Sequence, residues 1–137
     1  MRIAIFRKAH FNAAHRLHNP KWSDEKNKEI YGVCNNANYH GHNYDLEVKV
    51  VGEVDPETGY LIDLKILSDI IKKEIEDKFD HKNLNLDVPY FKDMPTSTEN
   101  FCHLIWQIMQ EKLGDQYEVT IKLWETCLLY TSDAADE

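Results

Sequence analysis

Cysteine is scarce in this chain of 137 residues, which has only three, at positions 34, 102 and 127. An odd number of widely spaced cysteines argues against the disulfide framework of a secreted protein and favours a reducing cytosol. Long apolar runs are also missing, since no stretch approaches the roughly 20 apolar residues of a membrane span. The segment from Met1 to Arg7 is too short and too charged for a signal peptide. We therefore expect a soluble, cytoplasmic protein that does not contact a membrane.

Basic residues are outnumbered, because 16 lysines and arginines face 24 aspartates and glutamates and leave a formal net charge of −8. This balance argues against nucleic-acid binding through a general basic field. It leaves room for an anionic small substrate, which a local basic pocket can hold. A content of 42% hydrophobic and 29% charged residues is typical of one globular domain with its own core.

The end of the chain differs in character from the rest. Residues 127–137 read CLLYTSDAADE, a string that resembles the one-frame translation of a transposase-type sequencing-library adaptor. We interpret this tail as non-native, place the domain at residues 1–126, and expect the native sequence to continue past Thr126 with a different ending. A genuine polar tail is the alternative interpretation.

Three segments alternate between apolar and polar residues with the period of a β-strand, at residues 2–14, 44–50 and 117–123. Residues 60–63 follow a turn and are expected to form a short return strand. Residues 19–39 are polar and irregular, with one helical turn near 24–31, and long loops of this kind are usually functional.

Two amphipathic helices are expected between the strands. Asp63 is a good N-cap for the first helix, whose apolar stripe has spacings of three and four residues. Ser97 or Thr98 caps the second helix, and Gly114 ends it. Hairpins combined with such helices predict an α+β fold with the helices on one face of the sheet. A sheet of few strands has open edges, which invite pairing with other subunits.

Histidine carries the clearest chemical signal. His40 and His42 open the second strand two residues apart, so both rings point to the same side, and Gly41 leaves room between them. His15 lies at the end of the first strand, where hairpin-like packing brings it alongside. Three histidines and an open fourth position describe a catalytic zinc site that can polarise a substrate oxygen. Ordinary surface histidines are the alternative.

Three further positions carry candidate chemistry. Cys34 lies in a polar loop near the proposed metal, where nearby positive charge makes a thiolate accessible; a buried thiol is the alternative. Asp80 and His81 pair a carboxylate with an imidazole, which suits proton transfer, although adjacent residues rarely touch at their tips. Glu125 ends the last strand and can accept two N–H donors from a guanidine-like ring edge; a solvated strand end is the alternative.

Taken together, these segments resemble one family in content and in order, over residues 3–126. The family is 6-pyruvoyl-tetrahydropterin synthase, together with the similar 6-carboxytetrahydropterin synthase of queuosine biosynthesis. The resemblance is carried by FNAAHRL (11–17), CNNANYHGHNY (34–44), DPETG (55–59), DHKNL (80–84), DVPYF (87–91), STEN (97–100) and ET (125–126).

The resemblance implies the tunnelling fold, in which a four-stranded antiparallel sheet carries two helices on one face. It also implies that trimers close a barrel, that two trimers stack into a homohexamer, and that the active sites lie between subunits. Asp80 and His81 would then act on the site that holds a neighbour's Cys34.

By the same resemblance, the substrate is 7,8-dihydroneopterin triphosphate and the cofactor is Zn²⁺ on His15, His40 and His42. The metal would acidify a C–H bond in the side arm of the substrate, and Cys34 would take the proton. Asp80 and His81 would relay protons. Glu125 would anchor the pterin ring, with Thr98 and Glu99 lining the same pocket, while basic residues that the sequence does not identify hold the triphosphate.

Two products remain open within the family. The spacing of Cys34 and His40 resembles that of the pyruvoyl synthases, whereas the queuosine enzymes more often have fewer residues between the two positions. The main hypothesis is therefore a lyase that makes 6-pyruvoyl-tetrahydropterin, and the alternative is a 6-carboxytetrahydropterin synthase. A non-catalytic pterin- or metal-binding module is a further alternative, because it would keep the histidines and Glu125 without needing Cys34 or His81.

Overall fold

A computed structural model of the protein describes residues 1–132. One five-stranded sheet has the strand order β3-β1-β2-β4-β5, with β3 parallel to β1 and all other neighbours antiparallel. The strands are β1 (Arg2–His15), β2 (His40–Glu53), β3 (Lys82–Asn83), β4 (Glu118–Thr126) and β5 (Leu129–Ser132). The helices are α1 (Asp24–Tyr31), α2 (Leu64–Ile71), α3 (Asp77–Phe79) and α4 (Thr98–Leu113).

The helices form where the capping residues were expected. The side chain of Asp63 accepts a hydrogen bond from the Lys65 amide and begins α2, which continues through a π-helical turn, Lys72–Glu76, into α3. Ser97 caps α4 through the Asn100 amide, and Gly114 ends it with φ 88°. The predicted caps and the end of the second helix are confirmed.

The core lies between the sheet and the helices α2 to α4. Alternate residues of β2 face this core because side chains along a strand point to opposite sides, and Leu46, Val48 and Val50 are buried there. Most of the helix stripe predicted from spacing also lies in the core, where Leu67, Ile71, Ile75 and Phe79 are all at most 2% exposed. Leu64, which the spacing also placed on this stripe, is 59% exposed, so that part of the prediction is wrong.

The sheet differs from the expected four strands. β3 contributes two residues parallel to β1, and β5 pairs with β4 through a register irregularity between Trp124 and Thr126. Strands this short carry no alternation that a sequence pattern can reveal. The α+β class and the three long strands are confirmed, and barrel closure by oligomerisation remains a prediction.

The prediction of a short strand at residues 60–63 is wrong, because the structure has no strand there. The backbone amide of Gly59 bonds to the Asp55 carbonyl at 2.8 Å, so the turn runs directly into the α2 cap. The Leu61 carbonyl accepts a hydrogen bond from the Tyr117 hydroxyl at 3.2 Å rather than from a neighbouring strand. The single helical turn expected near residues 24–31 is the longer helix α1, capped by Ser23.

The proposed boundary after Thr126 remains a prediction. The described part of the tail follows β4 through a turn and pairs with it as β5, while the last residues of the tail lie outside the described range. Within residues 1–132, no helix has the length and apolar character that crossing a membrane requires.

Candidate metal centre

Three imidazole rings meet where β1 ends and β2 begins. The antiparallel register pairs His15 with His40 and Ala13 with His42, which puts all three histidines on the core side of the sheet. The ring centroids are 4.6 Å apart for His15 and His40, 5.1 Å for His15 and His42, and 4.9 Å for His40 and His42. The predicted convergence of three rings from two strands is therefore present.

His15 has a defined tautomer. Its Nδ1 lies 2.7 Å from the backbone carbonyl oxygen of Thr96 in the loop before α4, and the ring is 1% exposed. A carbonyl oxygen can only accept, so Nδ1 must carry the proton and donate it. In the neutral ring this leaves a lone pair on Nε2, as in histidines whose second nitrogen orients them for a metal.

Glu125 joins the histidines from β4. Its Oε1 lies 2.9 Å from Nε2 of His42 and 3.4 Å from Nε2 of His15. One ligand atom from each histidine and one carboxylate oxygen all lie within 4.8 Å of one another, a group able to hold a metal ion. The group contains neither Cys34 nor His81.

The polar atoms of this group suit a cation. Nε2 of His15 and Nε2 of His42 are buried and have no well-formed hydrogen bond within residues 1–132. In neutral His15, a lone pair on Nε2 faces a carboxylate oxygen, and two acceptors repel each other unless a positive charge lies between them. Imidazole and carboxylate ligands are those that zinc and related divalent metals prefer.

The surroundings of two of the rings favour the neutral imidazole. Burial is the largest cause that lowers the pKa of His40, and His15 lowers it further. Burial also lowers the pKa of His42, partly opposed by Glu125. Since a metal binds imidazole only in its neutral form, these shifts favour metal binding.

The carboxylate of Glu125 is held in its charged form. A hydrogen bond from His15, which forms when Nε2 carries a proton, is the largest cause that lowers its pKa, whereas burial acts in the opposite direction. Nearby His42 and a side-chain hydrogen bond from Thr98 lower it further. Thr98 therefore lies beside Glu125, while Glu99 is exposed in the first turn of α4.

Cys34 lies in a short 3-10 helix, Gly32–Asn35, and is half-buried. Its carbonyl accepts the Leu17 amide at 2.9 Å, and the Asn35 side chain donates to the Leu17 carbonyl at 2.7 Å. These bonds hold the turn against the segment that leaves the sheet just after His15.

Asp80 and His81 contact each other directly, contrary to the expectation for adjacent residues. Nδ1 of His81 lies 2.9 Å from Oδ2 of Asp80. His81 has φ 59°, a left-handed backbone conformation that is uncommon outside glycine. The Asn12 amide donates to Oδ1 of Asp80 at 3.0 Å, and this bond is the largest cause of the lowered pKa of Asp80.

The contact of Glu125 with the histidines and the role of the Thr96 carbonyl were not predicted from the sequence. The sequence did contain a signal for the position of Glu125. Ile121, Leu123 and Glu125 are every second residue of β4, and Ile121 and Leu123 are fully buried. The same periodicity predicts that Glu125 faces the core side. The bond from His15 to Thr96 had no signal, since it joins residues 81 positions apart through a backbone atom.

Fold and site together define an α+β protein with a group at the end of its sheet that can hold one metal ion. The sequence profile of the family 6-pyruvoyl tetrahydropterin synthase matches residues 4–133. The 6-pyruvoyl tetrahydrobiopterin synthases of Poecilia reticulata and Homo sapiens are 47% and 43% identical over 122 residues, which are 89% of this chain and 83% and 84% of theirs.

The Caenorhabditis elegans 6-pyruvoyl tetrahydropterin synthase structure has the same fold. It superposes with a TM-score of 0.90 at 36% sequence identity and covers 97% of this chain and 95% of its own. The chain therefore belongs to the 6-pyruvoyl tetrahydropterin synthase family, a family of enzymes.

Proposed function

We propose that this protein is a zinc-dependent lyase that eliminates triphosphate from 7,8-dihydroneopterin triphosphate to give 6-pyruvoyl-tetrahydropterin. The observation that carries the proposal is the group formed by His15, His40, His42 and Glu125. The protein that contains this group is 47% identical to the 6-pyruvoyl tetrahydrobiopterin synthase of Poecilia reticulata. Zinc held by the three histidines would supply Lewis acidity toward the oxygens on the side arm of the substrate.

The protein's own residues bind the substrate and move its protons. The thiolate of Cys34 removes a proton from a carbon of the substrate's side arm, and the Asp80–His81 pair orients and relays protons. Glu125 accepts N–H donors of the pterin ring, supported by Thr98 and Glu99.

Three subunits would form a trimer, and two stacked trimers would form the homohexamer, with active sites between subunits.

We assign the triphosphate to a basic cavity whose lining includes sequence neighbours of the metal-centre residues. This cavity of about 390 Å³ is lined by Arg16, Lys21 and Lys92, with Tyr39 and Pro95 among the other walls. Three lining residues are sequence neighbours of residues at the metal centre. Arg16 follows His15 and Tyr39 precedes His40. Pro95 precedes Thr96, whose carbonyl contacts His15. A polyphosphate needs several cations at close range. The lining supplies three cationic side chains and one carboxylate, Asp93, so its charge is positive on balance.

Removal of these cations tests the assignment. Arg16→Ala and Lys92→Ala are expected to raise the KM for the triphosphate substrate about ten-fold each, because each removes a charge-assisted contact. Lys65→Ala is the matched control, since Lys65 is exposed and pairs with Asp69 on α2. An unchanged KM in both cavity variants would contradict the assignment.

The reaction itself is tested by product mass and triphosphate release with zinc-loaded protein. Cys34→Ala should abolish release while zinc and pterin binding persist, and Cys102→Ala should retain activity because that thiol is buried against the Ile121 carbonyl. A 6-carboxytetrahydropterin product would favour the alternative synthase. Binding of pterin without release by the wild type would favour a non-catalytic module.

A further inference from the structure

The hydroxyl of Tyr44 is a buried polar group that the proposed chemistry does not use. Tyr44 is 0% exposed, and its ring lies between Phe11 and Phe101, each with a centroid distance of 5.3 Å. Among residues 1–132 the hydroxyl has no hydrogen-bond partner. Buried hydroxyls nearly always have a partner, so an isolated one requires an explanation.

The position of this hydroxyl connects it to Glu125. Tyr44 follows His42 on the core side of β2, and the two rings are 5.7 Å apart. The ladder between β2 and β4 pairs Asp45 with Trp124, so Tyr44 and Glu125 are the next residues beyond that pair. A tyrosine hydroxyl keeps its proton at neutral pH, so it is a hydrogen-bond donor.

A donor without an acceptor therefore lies beside a carboxylate that is directed at two imidazoles. The carboxylate oxygen of Glu125 occupies the space between Nε2 of His15 and Nε2 of His42, at 3.4 Å and 2.9 Å. A metal ion that takes the lone pairs of both nitrogens must share or displace that oxygen. The displaced oxygen then needs a donor besides Thr98, and water has little access because the side chain of Glu125 is only 16% exposed.

We propose that the Tyr44 hydroxyl donates a hydrogen bond to the Glu125 carboxylate when a metal ion occupies the three histidines. Tyr44 would then be a positioning residue, which holds the Glu125 carboxylate beside the three histidines. The inference rests on the metal-binding part of the proposed function and is independent of which product is formed.

Tyr44→Phe tests this inference, because it removes the hydroxyl and keeps the ring. Zn²⁺ alone is the probe, measured by chelator competition, together with thermal unfolding of the metal-free protein. The variant is expected to bind Zn²⁺ about ten-fold more weakly, since a hydrogen bond to a charged group is lost from the loaded state only. The metal-free variant should be as stable as the wild type or more stable, because an unsatisfied buried hydroxyl is gone.

Tyr117→Phe is the matched control. Its hydroxyl already donates to the Leu61 carbonyl at 3.2 Å, so the metal-free protein should lose thermal stability while its affinity for Zn²⁺ is unchanged. In a Glu125→Ala background the effect of Tyr44→Phe on Zn²⁺ affinity should shrink to within about two-fold, because the acceptor is absent.

Two results would overturn the inference: an unchanged Zn²⁺ affinity in Tyr44→Phe, or a loss of affinity that persists in the Glu125→Ala background. A wild-type protein that does not bind Zn²⁺ would instead refute the metal centre, and the inference with it. Failure of the proposed reaction is distinguishable from either result, because zinc binding would then be normal while triphosphate release is absent.

Discussion

His42→Ala is the sharpest test of the metal centre, because His42 contributes one of three rings and contacts Glu125 at 2.9 Å. A ligand that binds only the folded state stabilises it by about 2.7 kcal/mol at a free concentration of 100 times Kd. For a protein of this size, that corresponds to a rise in Tm of roughly 10 °C. Loading the wild type with Zn²⁺ at this ratio should produce such a shift.

Loss of a residue that only orients a metal ligand weakens metal binding by up to about 100-fold. Loss of a direct ligand such as His42 should therefore weaken Zn²⁺ binding by at least about 100-fold. At the same zinc concentration the stabilisation then falls to about 0.4 kcal/mol, and the Tm shift falls to roughly 1–2 °C. The relevant quantity is the zinc-dependent increment, since His42→Ala also changes the metal-free protein by removing a buried nitrogen beside Glu125.

The assay is thermal unfolding with and without Zn²⁺, together with metal content per subunit after gel filtration. His103→Ala is the matched control, because His103 lies on α4 with its ring stacked 5.5 Å from Trp106 and takes no part in the metal group. If His42→Ala kept stoichiometric zinc and the full Tm increment, the three-histidine centre would be refuted.

Three further predictions follow from local contacts. Glu74→Gln should lower the free energy of unfolding by about 1 kcal/mol at pH 7, because it removes the ion pair with Lys78. The hydrogen bond from Lys78 is the largest cause that lowers the pKa of Glu74, so the stabilisation is complete above the ordinary value of 4.5 and is lost as pH falls through the lower folded pKa. Urea unfolding at a series of pH values measures this dependence. Asn35→Ala should lower activity while leaving zinc content unchanged, because it frees the turn that carries Cys34 from the Leu17 carbonyl, and equal activity would contradict this. Gly52→Ala should lower Tm, since its Cβ would lie 2.9 Å from the Leu61 side chain; a Tm equal to that of the wild type would show that Leu61 can move aside.

Local patterns predicted the parts of the fold that repeat with a regular period. Alternation identified β1, β2 and β4, and helix spacing identified the stripe from Leu67 to Phe79, because burial on one face imposes both periods. β3 and β5 span two and four residues, too few for any period to emerge. They form because neighbouring strands offer unpaired backbone groups, which a local pattern does not contain.

The same distinction applies to the site. His40 and His42 were predictable from one another because they are two residues apart on one strand, and His15 from the strand that ends beside them. The contact of Glu125 depends on the register between β2 and β4, which joins positions about 80 residues apart, as in the pair Asp45 and Trp124. A motif names the residues, but only the register determines which atoms face each other.

Cys34 and His81 are anchored to different points along the first strand and the segment that follows it. The Cys34 turn is bonded to Leu17, whereas the His81 amide is bonded to the Asn12 carbonyl at 2.7 Å. The strand from Asn12 to His15 alone spans about 10 Å, and Leu17 lies further along the sequence. The two anchors are therefore separate points on this segment, and the pairing of Cys34 with a neighbour's His81 remains a prediction.

Mixed oligomers of Cys34→Ala and His81→Ala subunits test this arrangement. If each site takes its thiol from one subunit and its imidazole from another, random mixing at equal amounts leaves about a quarter of the sites with both groups intact. Each variant alone should be inactive, and the co-refolded mixture should recover about a quarter of wild-type activity. If both groups came from the same subunit, no mixture could contain an intact site, so absence of recovery in oligomers shown to contain both variants would place Cys34 and His81 within one subunit.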